Sequence, residues 1–413
     1  MTDADIAIVG AGAAGLMVAI CAGRANPNAR IVALDGARKL GAKILVAGGG
    51  RCNVTHDAVD ESMYAGSSRN AIKKVLRRFD VPQTLAFFRE LGVELKREDT
   101  GKLFPVSDDA HTVLDALLHA ARAANVSLQH PCRVEAIQRD ADAFCMTGDW
   151  GTLTAHHIIL ATGGRSLPKS GSDGGGYALA RALGHTITRR VFPALVPLTL
   201  PRDHPLCALS GIATIVTLDV KNSTGKPLTS FTGSMLCTHF GISGPVALDI
   251  SRYYLAARMD DPTCEVYANW LPDETSDALE ARVLRAGRTP LTRIFSGALP
   301  DRLLRLLCAS VNVEPGIPAD QLPRDTRKAF VRALTAYPLP ITGDRGFTYA
   351  EVTAGGVPLT ELHLETMESR ACPGLYLCGE LCDVDGRIGG YNFQWAWASG
   401  YVAGRAAARF AAQ

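Results

Sequence analysis

At 413 residues the chain is too long for one ordinary hydrophobic core, so two or three domains are expected. Its composition, 47% hydrophobic and 20% charged, is that of a globular protein. With 43 basic against 41 acidic residues the net charge is only +2, which argues against a strongly charged partner such as nucleic acid, though a balanced total leaves room for a local basic patch. Eleven cysteines are scattered along the chain, and the nearest pair, Cys378 and Cys382, matches neither a zinc knuckle nor a CxxC redox motif. A reduced, cytoplasmic chain without a metal site is expected. The apolar stretch Ile6 to Ala22 lacks the basic start of a secretory leader, carrying Asp3 and Asp5 instead, and no apolar run reaches membrane-spanning length.

The chain opens as strand, turn, helix, strand. Asp5 to Val9 reads as a short buried strand, Gly10-Ala-Gly-Ala-Ala-Gly15 as the turn, Ala13 to Arg24 as a helix of small and apolar residues, and Arg30 to Leu34 as the next strand. This βαβ unit seeds a parallel sheet. Ile72 to Phe79, Pro82 to Leu91 and Ala110 to Asn125 read as helices, Val126 to Val134 as a strand, Phe144 to Thr154 as a hairpin, and His157 to Ala161 as a buried strand ending in Thr162-Gly-Gly164. From Phe192 prolines punctuate the chain, and β-branched residues alternate from Ile212 to Val220 ahead of a turn at Asn222 to Gly225. Ala278 to Val311 and Pro323 to Ala336 have helical period, and strands return near Phe347. Leu375 to Cys378 and a final helix close the chain. The expected plan is an α/β cofactor domain, residues 1–191 and 343–413, interrupted by an inserted substrate or cap domain, 192–342, β-rich and then helical.

A lone GxGxxG is weak evidence, but here it follows a strand, opens a helix, and is followed 20 residues after Gly15 by an acid, Asp35. Gly10 permits the tight turn, Gly12 lets a pyrophosphate approach the backbone, and Gly15 lets helix and strand pack. Ala13 and Ala14 place the helix N-terminus, with its free N–H groups, at the phosphates. Asp35 can accept hydrogen bonds from a ribose. Three further segments favour FAD over NAD. Lys43 followed by Gly48-Gly49-Gly50-Arg51-Cys52-Asn53 suits a second backbone approach to a long dinucleotide. Thr162 and Gly163 follow a strand where the chain can pass the ADP moiety, as does Val134 at the end of its own expected strand. Gly379, Glu380, Asp385, Gly390, Tyr391 and Asn392 follow the last strand, and a helix beginning near Tyr391 can aim its positive end at the flavin.

The segments GAKILVAGGGRCNVT (41–55), LFPVSDDAHTVLDAL (103–117), ATGGRSLPKSGSDGGGYALARALGH (161–185), MLCTHFGISGP (235–245) and GLYLCGELCDVDGRIGGYNFQWAWASG (374–400) resemble the BaiN-type NAD(P)/FAD-dependent oxidoreductases. The resemblance runs along nearly the whole chain. It implies a FAD domain of glutathione-reductase type, a Rossmann fold, interrupted by a β-barrel-like insertion with a helical portion. It also implies flavin-dependent reduction, in one branch of the family of a conjugated steroid alkene.

The cofactor carries the hydride chemistry, so the protein's task is to bring electrons in and out. No second GxGxxG follows a strand, so NAD(P)H is expected as a transient co-substrate at the flavin face rather than in a domain of its own. Cys52 has no neighbouring cysteine and reads first as a small buried residue beside the flavin, and second as a catalytic thiol. His239, in Thr-His-Phe-Gly-Ile-Ser-Gly-Pro245, is the candidate proton donor; the plainer reading is a histidine that orders the turn. Tyr391 is the next candidate. The Trp395 and Trp397 pair reads as core, Gly400 and Gly404 as close helix packing, and Lys73, Lys74, Arg77 and Arg78 as a solvated helix face. The leading expectation is a reductase passing hydride to an activated C=C or C=O bond of a small apolar substrate. The alternatives are an RNA-modifying flavoprotein and a non-catalytic redox sensor.

Overall fold

The computed structural model describes residues 2–140 and 142–410, the side chain of Phe410 aside. The chain divides into two compact units: residues up to Pro193 together with those from Glu351 onward, and Ala194 to Ala350.

In the first unit β1 (Ala4–Val9), α1 (Ala13–Ala25) and β2 (Ile31–Leu34) form the opening βαβ. β1 lies between β2 and the strand Gly151–Leu160, parallel to both. Ser127–Gln129 extends the parallel sheet beyond β2, and Leu375–Leu377 extends it beyond Gly151–Leu160. The sheet is buried on both faces, which is why β1 reads as a continuous apolar run rather than an alternating one. The hairpin expected at Phe144 to Thr154 and the buried strand that follows are one piece: Ala143–Gly148 turns into a ten-residue strand whose far half enters the core. The strand expected from Val126 to Val134 stops at Gln129, because Pro131 cannot continue a ladder.

The final helix, Tyr391–Phe410, lies against α1. A Cβ on Gly400 would stand 2.7 Å from the Ala14 carbonyl oxygen, and one on Gly404 2.6 Å from that of Val18. The four-residue glycine spacing is therefore the groove that lets two helices touch backbone to backbone. Trp395 and Trp397 are buried core.

The second unit is built on an antiparallel sheet of seven strands, in the order Tyr337–Leu339, Glu265–Asn269, Ala213–Lys221, Pro227–Thr238, Gly241–Ser243, Leu198–Thr199, Gly343–Asp344. The alternation seen in the sequence puts Val216, Leu218 and Val220 inward. A 16-residue helix, Pro245–Asp260, packs on this sheet within the part of the insertion expected to be β-rich. Gly244 followed by Pro at the first helical position was the local signal for it. The expected insertion boundary at 342 also moves: Gly343 and Asp344 pair with Thr199 and Leu198, so residues 343–350 belong to this unit. No helix among the described residues is long and apolar enough to cross a membrane.

Candidate cofactor site

Parallel strands end at one edge of a sheet, and that edge gathers the sequence motifs. Gly10 follows β1, Asp35 follows β2, Ala161 to Gly163 follow Gly151–Leu160, and Cys378 to Glu380 follow Leu375–Leu377. The order reverses direction on either side of β1, the position at which open α/β sheets bind ligands.

The three fingerprint glycines separate by cause. Gly10 has φ +99°, and a Cβ there would stand 2.5 Å from the Ala161 carbonyl oxygen. A Cβ on Gly15 would stand 1.8 Å from the Gly10 carbonyl oxygen. Both are glycine because protein backbone occupies the space. Beside Gly12 nothing of the protein lies within 4 Å, so its side-chain space opens to the edge of the sheet. Gly12 caps α1 without a side-chain acceptor, leaving N–H groups of the first turn to a ligand. Ala13 and Ala14 begin that turn, and Ala14 lies under Gly379, whose own Cβ would be 2.8 Å from it.

Asp35 accepts hydrogen bonds from the backbone N–H groups of Ala11 at 2.6 Å and Ala37 at 2.8 Å. Each carboxylate oxygen keeps a lone pair for a ribose hydroxyl. The Cys132 N–H donates to the Asp35 carbonyl at 2.7 Å, so the segment leading to buried Val134 crosses the end of β2. Gly163 has φ +73° and leans toward Ser172, whose buried hydroxyl has no partner within the described residues. Ser172 is a member of this edge for which motif spacing in the sequence carries no signal.

The other wall is α2 (Ala42–Gly50) and the loop after it. Gly48, Gly49 and Gly50 form a left-handed run with φ of +59°, +71° and +87°, and Cys52, after a right-handed Arg51, is at +61°. Beside Gly49 no atom lies within 4 Å, and a Cβ on Gly50 would meet only the Leu45 carbonyl oxygen at 3.8 Å. Asn53 is buried, and its side-chain oxygen has no partner within the described residues. Lys43 does not stand ready for a phosphate alone: its ammonium lies 2.5 Å from Glu380, whose other oxygen accepts the Thr353 N–H at 2.9 Å. Arg51 is likewise engaged, 2.6 Å from Glu98 and over the ring of Phe104. Cys52 is fully buried, and burial pushes its thiol up to about 12, which favours the neutral thiol.

The C-terminal motif closes the cradle. Asp385 is buried in the strand Val384–Gly386, which pairs with Tyr64–Gly66. Asn392 spends its amide on the loop, accepting the Gly386 N–H at 2.8 Å and donating to the Gly386 carbonyl at 2.9 Å. Tyr391 stacks on His56 with ring centres 4.9 Å apart, and its carbonyl accepts the Tyr64 hydroxyl. A Cβ on Gly390 would stand 2.5 Å from the Thr55 carbonyl carbon. The start of the final helix is therefore pressed onto the segment carrying Cys52 and Asn53. Gln394 reinforces it, accepting from the hydroxyls of Thr55 and Thr84 and donating to the Phe79 carbonyl. Trp395 donates to Gly379 and Trp397 to Val54.

His239 lies in the second unit, at the turn between Pro227–Thr238 and Gly241–Ser243. It is exposed, touches Phe240 edge-on at 5.1 Å, and makes no hydrogen bond among the described residues. The turn is held instead by the Thr238 hydroxyl donating to the Gly241 carbonyl, so the imidazole is not what orders it.

A family model described as the HI0933-like protein Rossmann domain matches residues 4–406. The chain belongs to this family. It is 38% identical over 410 residues to a 3-dehydro-bile acid delta(4,6)-reductase of Clostridium scindens, covering 98% of each chain. It is 34% identical over 404 residues to a ribosomal RNA dihydrouridine synthase of Escherichia coli, covering 96% of each. Among solved structures, a chain of E. coli quinol fumarate reductase aligns over 99% of this chain and 70% of its own length, with a TM-score of 0.52 at 18% identity, a likeness of fold. The first unit is a Rossmann-type FAD-binding domain. The edge of the sheet fits that dinucleotide: open space at Gly12, a carboxylate at the ribose position, a free helix start, and two buried polar atoms, on Ser172 and Asn53, that the protein leaves unpaired.

Proposed function

We propose that this chain is a FAD-dependent oxidoreductase that reduces a carbon–carbon double bond conjugated to a carbonyl, with NAD(P)H as the source of electrons. The observation that carries this reading is the pair of full-length relatives. A 3-dehydro bile acid with 4,6-unsaturation and a uridine share one functional pattern, an alkene in conjugation with C=O, although the molecules differ in every other respect. Hydride addition to such a bond leaves negative charge on oxygen and needs a proton at the adjacent carbon.

The residues of the first unit take the binding roles. α1 and Gly12 receive the pyrophosphate, Asp35 the adenosine ribose, Thr162, Gly163 and Ser172 the adenylate side, and Asn53, Gly49, Gly50 and the start of the final helix the flavin end. FAD, when bound, supplies the hydride. The positive end of the final helix, next to Gly390 and Tyr391, favours negative charge at the site it faces. His239 is the proton donor in this reading: it is exposed, and it has no hydrogen bond among the described residues that a structural role would require. Cys52 stays a protonated thiol that fills space under the loop. The second unit is the substrate-binding insertion, and the reaction is cytoplasmic.

A second reading takes a uridine of ribosomal RNA as the substrate, favoured by relatives named for that product in E. coli and Haemophilus influenzae, each 34% identical. The near-zero net charge counts against it, since RNA binding is dominated by phosphate contacts. Anaerobic mixing of reduced enzyme with 3-oxo-4-ene steroids on one side and with ribosomal RNA on the other separates the two. Return of the oxidised flavin spectrum with the first class alone supports the small-molecule reading, and with RNA alone the second.

A further inference from the structure

Arg345 lies in the stretch that the second unit reclaims from the expected cofactor domain. Its guanidinium carbon is 4.3 Å from the ring centre of Phe240 and 3.9 Å from that of Tyr349. Its backbone is fixed by the Arg345 N–H donating to the Pro197 carbonyl and, beside it, by the Gly346 N–H donating to the Asp344 carboxylate. The side chain itself has no hydrogen-bond acceptor and no acidic partner among the described residues, and it is half-buried. Ring contact holds the cation without supplying it a conventional hydrogen-bond acceptor, so among the described residues its N–H groups have no oxygen partner. Tyr349, 52% exposed, is one of the few large side chains the protein leaves in water, and here it serves to hold that cation. Phe240 also carries His239 on its edge, so His239, Phe240, Arg345 and Tyr349 form one cluster on the second unit.

We propose that Arg345 is a specificity-determining residue: it binds a carboxylate of the substrate through its N–H fork, while His239 in the same cluster serves the reacting end. A rigid, ring-held fork with unspent donors matches a planar carboxylate in a two-point hydrogen bond. The proposal rests on the small-molecule reading above and narrows its substrate class to carboxylic acids.

The test measures binding first, so that it does not depend on turnover. The FAD-loaded protein is titrated with a 3-oxo-4-ene steroid carboxylic acid and with its methyl ester, following the flavin absorbance and heat. The wild type should prefer the acid. Arg345→Met should weaken the acid about 10- to 100-fold and leave the ester unchanged, the size expected for hydrogen bonds to a charged group. Arg345→Lys keeps the charge and loses the fork, and should fall between. Tyr349→Leu, which releases the cation without removing it, should weaken the acid by less than Arg345→Met. In turnover, Arg345→Met should raise KM for the acid and leave kcat and the rate of flavin reduction in place. Equal loss for acid and ester, or no loss for either, overturns the assignment. So does a wild type that shows no acid preference while Arg345→Met loses ribosomal RNA binding. Failure of the wild type to reduce any conjugated alkene while still preferring the acid would count against the proposed reaction and support this site.

Discussion

Gly12 and Gly15 stand three residues apart in one motif, and the structure predicts opposite failures for them. A Cβ on Gly15 would be 1.8 Å from the Gly10 carbonyl oxygen, where ordinary contact begins near 3.4 Å, so α1 and the β1 turn would have to separate by about 1.6 Å. That displaces a helix packed to its backbone against the final helix. Gly15→Ala should therefore cost the apoprotein at least ~1–3 kcal/mol, the usual size for overpacking, with or without cofactor. Gly12 has φ −78°, which any residue adopts, and no protein atom within 4 Å of its Cβ. Gly12→Val should leave the melting of the apoprotein within about 0.5 kcal/mol of wild type, as at an unencumbered surface position. It should remove FAD loading, and with it the stabilisation that bound cofactor adds, about 2.7 kcal/mol at a hundredfold excess over Kd. The assay is thermal unfolding of apo and FAD-supplemented protein by circular dichroism, alongside released-flavin fluorescence. Early melting of the Gly12→Val apoprotein, or a full complement of FAD in it, would overturn the assignment of Gly12 to the phosphate site.

Four other outcomes follow from the same geometry. Asp35→Ala should weaken FAD by ~1–3 kcal/mol without abolishing it, and the released cofactor should be FAD, not FMN, by chromatography. Cys52→Ala should retain turnover across the neutral range. Its buried thiol has a raised pKa, about 12 against an ordinary 9.0, so the unfolded chain loses that proton first and stability declines between those values as pH rises. Denaturant melts of wild type and Cys52→Ala through that window check the sign, and a wild type no more alkali-sensitive than the mutant would remove Cys52 as a source. His239→Ala should slow reoxidation of reduced enzyme by substrate by roughly 10²–10⁴-fold and leave reduction by NAD(P)H nearly unchanged, both normalised to bound FAD; parallel loss in both half-reactions would return His239 to a structural role.

The phosphate end of the site was legible in the sequence because its constraints are local. Gly10, Gly12 and Gly15 lie within one turn, and Asp35 is placed by the length of a single βα unit, so spacing stands in for geometry. The same holds for Gly400 and Gly404, whose spacing is a helical period. What the sequence conceals is pairing between distant segments. Lys43 and Glu380 are 337 residues apart, and nothing in either motif announces that their charges neutralise each other. Arg51 reads as a cofactor cation until Glu98 and Phe104 are seen to hold it. The Asn392 amide reads as a flavin ligand until it is found clamping Gly386. Residues 343–350 read as part of the cofactor domain because strand pattern returns near Phe347, but two backbone pairs with Leu198 and Thr199 draw them into the other unit and bring Arg345 to Phe240. The helix Pro245–Asp260 is hard to read because the β-branched run before it sets the expected texture and this helix itself carries weak amphipathic contrast.

Under the proposed function, this flavoprotein delivers hydride to a conjugated alkene. That delivery is tested most directly by an anaerobic two-stage rapid-mixing experiment. The enzyme is reduced with one equivalent of NADH or NADPH, and the bleached protein is then mixed with a 3-oxo-4,6-diene steroid acid. The prediction is that the oxidised flavin absorbance returns in the mixing cell with one equivalent of product that has lost a double bond. A flavin that stays bleached in the presence of every conjugated alkene offered, yet reoxidises on admission of air, would contradict it.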